Sequence, residues 1–500
     1  MAALSLRFPS DEVFARAREL FQRAGFNEDS VEQQAIVDDA LLPHYEDGLV
    51  PEGTDAAGLL IGLFLRAGKA SRDRVLAALG EQGIADLTAL GLLQSDDAGM
   101  VRAPMRIRPM YGMYIVADHW DPTRLTRNSA EDVVMAPDFS STLEFLSFIP
   151  HTPCERFLEA CGGAGSAALV AAQRFANRAY CFDLTERSTL CSSFSARLSA
   201  VADFESRRGN TYEPASGLQF DRVVAHPPCV PALRHNWIFY SGGPDGAHIT
   251  GLHVEKLPDV LAPGGRFYCR AVGNDRREQP FEDRVRGWLG ADHTAFDILL
   301  LVFRKESPLE FIMPSVSVGH IAVEDVPAWQ QEVARLGIVH FLPFLLVIQR
   351  HDQPRQPFTI RRTLDPSAVA SGAIEWLLDW ETLRAKGAAE DLILTRNLLA
   401  APASQRIRRE IQQGEWRVTG HSLHVDAPFV SDTEVDPLAA ALLPACDGQI
   451  NGRQLVDGLI AQGHIRPDTD PRAFAAVLAD LVSAGCLYVE DCAPPLGRRQ

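Results

Sequence analysis

Glu159-Ala160-Cys161-Gly162-Gly163-Ala164-Gly165 is the stretch on which the fold turns. The apolar run CERFLEAC (154–161) enters it as a strand, and SAALVAAQRF (166–175) leaves it as an amphipathic helix. The glycines therefore occupy a strand-to-helix turn, where a ligand can approach the backbone and the helix N-terminus offers unpaired N–H groups. Such turns also close strand–helix units for packing alone, so a function must come from what surrounds them.

Outward from this turn, RAYCFDL (178–184), FDRVVAHPP (220–228), GGRFYCRAV (264–272), FDILLLVFR (296–304) and LPFLLVIQR (342–350) read as further strands. Helical patterns over 186–200 and 246–261 alternate with them. This alternation predicts an α/β fold with a mostly parallel sheet covered on both faces, binding ligands at the carboxyl ends of its strands. Asp183, with Leu184 beside it, ends the second strand, where an acid either holds both ribose hydroxyls or caps the next helix. Arg208-Gly209-Asn210-Thr211 ends the third, where a side-chain amide can read an adenine edge. His226-Pro227-Pro228-Cys229 ends the fourth. Two prolines there cannot continue a ladder, so they expose a carbonyl that can accept from a substrate N–H.

These five features, completed by Leu261-Ala262-Pro263-Gly264-Gly265 before strand five, resemble the signature of class I S-adenosylmethionine-dependent methyltransferases. The branch they look most like includes protein-glutamine and ribosomal-RNA guanine N-methyltransferases. The resemblance covers roughly 110–365, half the chain. It implies a Rossmann-like, seven-stranded sheet and S-adenosylmethionine as cofactor, with S-adenosylhomocysteine as product. It further implies that Glu159, Cys161, Gly163 and Gly165 line the methionine end, Asp183 and Leu184 the ribose, and Asn210 and Thr211 the adenine, with His226 also touching cofactor. Two departures matter. Cys161 stands where the family has its first glycine. The Asn/Asp-Pro-Pro-Tyr/Phe motif reads His226-Pro227-Pro228-Cys229, losing the aromatic ring that stacks on a planar acceptor. His226, with Pro227, is then the catalytic candidate, accepting a hydrogen bond or acting as a base near working pH.

Around the acceptor, Asp138, Cys229, Trp237 and Tyr240 are the substrate-side candidates, Asp138 also being a candidate helix cap. The loop ALRHNWIFYSGGPDG (232–246) supplies aromatics to replace the missing ring, with Gly242 and Gly243 as a hinge for a lid.

The rest of the chain reads as flanking modules. Helical patterns at 55–68, 71–80 and 84–94, followed by two strands in VRAPMRIRPMYGMYIVAD (101–118), give a winged-helix order over 1–115. It lacks the Arg, Lys and Asn that would read DNA. The methyltransferase domain is placed at 116–365. From 366 to 500 the reading is helices at 370–386 and 403–413, a β-like 414–425, and a tail over 430–490 resembling PqqD-like winged-helix modules. Such modules accompany modifying enzymes and sometimes hold a peptide; packing or homodimerisation is the plainer role.

With 46% hydrophobic and 23% charged residues, the composition is that of a globular chain. A net charge of −17 disfavours nucleic acid as partner, and nine cysteines without a C-x-x-C pair suggest neither a disulfide framework nor a metal site. A reduced, cytoplasmic protein is expected, with no membrane segment. The expected function is methyl transfer to N, O or S of a small metabolite or peptide. The alternatives are protein-glutamine or RNA N-methylation, and a non-catalytic cofactor-binding regulator or scaffold.

Overall fold

The computed structural model describes residues 4–34, 48–119, 132–233, 237–317, 321–366 and 371–494. The chain divides into two compact units, residues 1–146, 151–290 and 306–341 forming one and residues 147–150, 291–305 and 342–500 the other.

In the first unit five parallel strands lie side by side in the order Phe204–Arg208, Ala176–Asp183, Cys154–Ala160, Phe220–Ala225 and Leu261–Arg276. The runs that read as continuous apolar segments are the central strands. Phe157, Leu158, Ala160, Val223, Val224 and Ala225 have no measurable exposure, because helices cover both sheet faces. Helices Ser166–Arg174 and Glu186–Ser199 supply the two crossovers after the first and second strands. Strand order reverses between the first and fourth strands, and a crevice opens there at the carboxyl ends.

The N-terminal part of this unit runs helix Ala56–Phe64, strand Lys69–Ser71, helix Arg72–Ala89, and strands Gln94–Ser95 and Met100–Arg102, the three strands pairing as one small sheet. The two helices expected over 71–94 are nearly continuous, broken at Gly80 (φ 72°, ψ 168°). The two strands expected over 101–118 are present as an antiparallel pair, set apart from the small sheet. Only the first residues of that stretch join the small sheet, whereas Arg106–Met110 and Met113–Ala117 form the separate hairpin through Tyr111 and Gly112, both at positive φ. That hairpin docks on helix Glu186–Ser199, whose Ser195 and Ser199 hydroxyls accept from Val116 N (2.8 Å) and Tyr114 N (2.9 Å). Serines buried in a helix are thereby explained: they receive backbone donors of the neighbouring hairpin.

The second unit opens with three strands. Phe296–Val302 pairs antiparallel with the Phe344–Arg350 part of strand Ile338–Arg350 and parallel with Thr359–Thr363. Where one seven-stranded sheet was expected, the first unit holds the five parallel strands above and the second unit opens with these three. Helix Ser371–Ala385 follows as expected. The helix expected at 403–413 is instead a strand, Ser404–Gln412, pairing with Glu415–Val425. Gln413 and Gly414, both at positive φ, close a two-residue hairpin turn that overrides the helix propensity of its Arg, Glu and Gln residues. Register puts Ile407, Ile411, Trp416 and Val418 on one side of this hairpin, 47–69% exposed, and Arg406, Arg408 and Arg417 on the other. Helices Ala389–Thr395, Gly452–Ala461 and Pro471–Ser483 then pack with a sheet of Asn397–Ala400, Asp447–Asn451 and Leu487–Val489. Among the described residues no helix is long and apolar enough to cross a membrane.

Candidate active site

A cavity of about 420 Å³ lies at the carboxyl ends of the parallel strands in the first unit. The residues following strands one, two, three and four all reach it: Cys161 to Ala164, Asp183 to Thr185, Gly209 to Thr211, and His226 to Val230. Convergence of four loops far apart in sequence is what a parallel α/β sheet does at its switch point.

At one end, the turn after strand one adopts the conformation that the motif requires. Cys161 has φ 53°, a left-handed value rare for a side-chain-bearing residue, and Gly163 and Gly165 have φ 53° and 78°. A Cβ on Gly163 would meet nothing within 4 Å, so its open side faces the cavity. Gly162 is required by packing, since a Cβ there would lie 2.3 Å from Cys181 Sγ. Gly165 does not line the cavity. It is the N-cap of helix Ser166–Arg174, and a Cβ would strike Ser192 at 2.8 Å. Its role here is close packing rather than ligand contact.

Asp183 is not the cap of the following helix. Thr185 is, its hydroxyl accepting from Ser188 N, which leaves the Asp183 carboxylate at the cavity wall. One Asp183 oxygen accepts from Gly163 N (2.9 Å), the other from Thr185 N (2.9 Å) and Thr185 Oγ1 (3.1 Å). The acid thus ties the ends of strands one and two together while lining the pocket. Leu184, half exposed, and Asn210 line the same end, and Thr211, at φ 49°, accepts from Lys256 Nζ at 2.9 Å.

Glu159 is buried at the turn's entrance, and Oε2 accepts from Ala168 N at 2.8 Å. Burial, only partly offset by backbone N–H groups of Ala168 and Ala167, pushes its carboxyl up to about 8. Cys161 and His253 form the floor beside it, Cys161 Sγ lying 3.2 Å from His253 Nε2. Burial lowers His253 to about 4 and raises the Cys161 thiol, so a neutral imidazole and an intact thiol share this hydrogen bond. Cys161 therefore does not loosen the turn; its side chain is anchored. Nothing in the local sequence pairs residues 161 and 253.

At the other end stand His226, Pro227, Pro228 and Cys229, the aromatics Phe139, Phe145, Phe239 and Tyr240, and Arg270. The His226 ring sits 5.4 Å from that of Phe145, tilted by 38°. Burial first, and then Arg270, depress the His226 imidazole to about 3. Burial thus makes His226 a neutral imidazole at neutral pH, a hydrogen-bond acceptor or donor and a weaker base than a free histidine. Arg270 Nε donates to Glu144 Oε2 at 3.0 Å.

Two substrate-side candidates lie elsewhere. Asp138 is fully buried and does not line the cavity; its Oδ2 accepts from Arg106 Nη2 at 2.6 Å, with Arg108 Nε at 3.9 Å. It is neither cap nor substrate ligand but half of an internal ion pair. Trp237 is buried behind the wall, its ring 6.2 Å from Phe239 and 5.7 Å from Tyr240. The expected hinge is also corrected. Gly242 N donates to Val230 O and Gly242 O accepts from His248 N, and a Cβ would meet Gly246 O at 2.4 Å. Gly242 clamps the loop onto the end of strand four, which leaves no room for the backbone rotation that a hinge needs.

No protein-family model matches the chain. Among curated proteins it is similar to the ribosomal protein uL3 glutamine methyltransferase of Bradyrhizobium diazoefficiens, 25% identical over 169 residues, which are 30% of this chain and 52% of that protein. It is also similar to the release factor glutamine methyltransferase of Moorella thermoacetica, 28% identical over 176 residues, 31% of this chain and 61% of that one. The chain thus spans between half and two thirds of the length of these relatives. Solved structures it resembles include an rRNA methylase from Streptococcus thermophilus (TM-score 0.24, 16% identity, covering 44% of this chain and 99% of that one). Another is M. jannaschii TYW2 in complex with AdoMet (TM-score 0.30, 12% identity, covering 50% and 90%).

Proposed function

We propose that the chain is an S-adenosylmethionine-dependent methyltransferase acting on N, O or S of a small metabolite or peptide. One observation carries this reading: a single cavity joins a ribose-competent acid and an open glycine turn at one end to the His-Pro-Pro-Cys segment at the other. When bound, the cofactor supplies a sulfonium methyl for in-line displacement. The residues at the first end suit it. Gly163 leaves its open side toward the cavity, Asp183 offers carboxylate oxygens for ribose hydroxyls, and Glu159 offers a carboxylate for a cationic group. Asn210 and Thr211 are assigned to adenine. The similarity to two glutamine methyltransferases supports the protein-directed alternative. We keep 1–115, 116–365 and 366–500 as the domain assignment, with winged-helix character at both ends, and the cytoplasm as the site of action.

Calorimetric titration with S-adenosylmethionine and S-adenosylhomocysteine tests the reading, followed by transfer of labelled methyl to small molecules and to a glutamine-containing peptide. Micromolar binding with transfer is expected; absence of binding to either form sinks it.

Glu159 gives a second signature. A carboxyl raised to about 8 is mostly protonated at pH 7, whereas a bound ammonium stabilises its ionised form. Cofactor binding at pH 7 should therefore release close to one proton, as calorimetry in buffers of differing ionisation heat reads directly. In the free protein the sign is the reverse of a salt-bridged acid. The raised folded pKa means that stability falls as pH climbs from the ordinary carboxylate range toward 8. Absence of proton release at pH 7 would remove Glu159 from the cofactor's surroundings.

For His226, the neutral imidazole predicts that kcat shows no inflection between pH 5 and 8 that His226→Gln abolishes. His226→Ala should slow transfer by about 5–30-fold, the loss of about one or two kcal/mol of hydrogen bonding, with cofactor affinity kept. A histidine inflection near 6.5 in the wild type would restore the base.

A further inference from the structure

The acceptor end of the cavity has a charge and a shape that the cofactor does not need. Glu159, Asp183 and Asp132 are the acids among its described lining residues, while Arg270 on strand five is the cation. Its charge is felt across this end: it adds to the depression of His226 and opposes the rise of the Cys229 thiol. Glu144 at 3.0 Å offsets it in part. Tyr240 Oη, 3.4 Å from Ser315 Oγ, is the remaining titratable group, held protonated by burial. The walls are aromatic, from Phe139, Phe145, Phe239 and Tyr240, and Cys229 leaves the space that a larger side chain would fill.

Resting on the methyltransferase reading above, we propose that the acceptor is a small planar aromatic molecule bearing an oxygen anion, a phenolate or ring carboxylate, seated among these rings with its charge toward Arg270. The aromatic walls match a flat ring, whose stacking and edge contacts each contribute about 0.5–1.5 kcal/mol. The guanidinium favours the ionised oxygen in a water-poor site. An anionic nucleophile also needs no proton acceptor. Its oxygen lone pair forms the bond to the methyl carbon as the carbon–sulfur bond breaks and that electron pair passes to sulfur. The products are a neutral ether or ester and the thioether, with no proton left to place. An amide nitrogen, by contrast, must shed a proton that a neutral, buried His226 holds poorly.

The probe is 4-nitrophenol, whose ionised form is yellow, titrated into the full chain with S-adenosylhomocysteine. Bound 4-nitrophenol is expected to ionise about one pH unit or more below its value in buffer. Neutral 4-nitroanisole should bind at least tenfold more weakly. Arg270→Gln should erase both effects, Arg270→Lys should keep most of the shift, and Glu144→Gln should enlarge it. An unshifted ionisation, equal affinity for the anisole, or methyl transfer to the glutamine peptide but to no phenol overturns the proposal while leaving the methyltransferase reading intact. Failure to bind S-adenosylhomocysteine at all overturns the methyltransferase reading instead.

Discussion

Replacing Asp183 by alanine lowers affinity for S-adenosylmethionine and S-adenosylhomocysteine by roughly 10²–10⁴-fold. Two hydrogen bonds from ribose hydroxyls to a carboxylate contribute about 1.5–3 kcal/mol each, and 1.4 kcal/mol is a factor of ten. A second loss is local. Asp183 also accepts from Gly163 N and Thr185 N, so its removal frees two backbone donors and loosens the turn that must receive the ligand. Asp183→Asn keeps one acceptor oxygen and should fall between wild type and alanine. Calorimetry reads the affinities, and far-ultraviolet circular dichroism establishes that the sheet is intact. Unchanged affinity in Asp183→Ala would move the cofactor away from strand two altogether.

The second large effect is on stability, and it follows from a pair that no ligand touches. Arg106 and Asp138 are both without exposure, and Arg106 Nη1 also donates to Leu65 O at 2.6 Å. Removing one partner of a buried pair strands the other charge and costs about 3–5 kcal/mol, although a well-packed apolar replacement of both is often neutral. Asp138→Ala should therefore shift the first unfolding transition in urea by that amount, and Arg106→Met with Asp138→Leu should recover most of it. If Asp138→Ala alone is silent, the Arg106–Asp138 pair does not hold this part of the fold together. The same change should weaken acceptor binding, because Asp138 precedes Phe139 and the start of helix Ser140–Phe148, which form one wall of the pocket.

The division between what was legible in the sequence and what was not follows from range. Four of the five parallel strands were readable because burial makes them largely apolar runs, whereas Phe204–Arg208, a polar edge strand, was placed only by the Gly209-Asn210 turn that ends it. Glu159, Cys161, Gly163, Asp183, Leu184, Asn210, Thr211, His226, Pro227, Cys229 and Tyr240 were found because each follows a strand or a marked loop, and all reach the cavity. Arg270, Phe145 and His253 were missed, being an ordinary strand arginine and two helix residues whose meaning appears only when residues 144, 226 and 161 are brought to them. Asp138 misled for the same reason, since its partner lies 32 positions earlier. At 404–412 the local composition spoke for a helix, and the two-residue turn at Gln413-Gly414 outweighed it.

That hairpin bears on how the protein behaves in concentrated solution. Strand Ser404–Gln412 is an edge, with a row of backbone donors and acceptors turned outward and Ile407, Ile411, Trp416 and Val418 bare on one side. An edge of this kind invites a second chain to add a strand, and charged side chains are what deter it. Here Arg406, Arg408 and Arg409 stand along the strand itself, Arg406 beside Asp432 and Arg408 beside Glu410 and Glu434, a charged edge of the kind that deters strand addition. Salt screens exposed charges beyond about 10 Å at 0.1 M, so the deterrent this edge carries weakens as ionic strength rises.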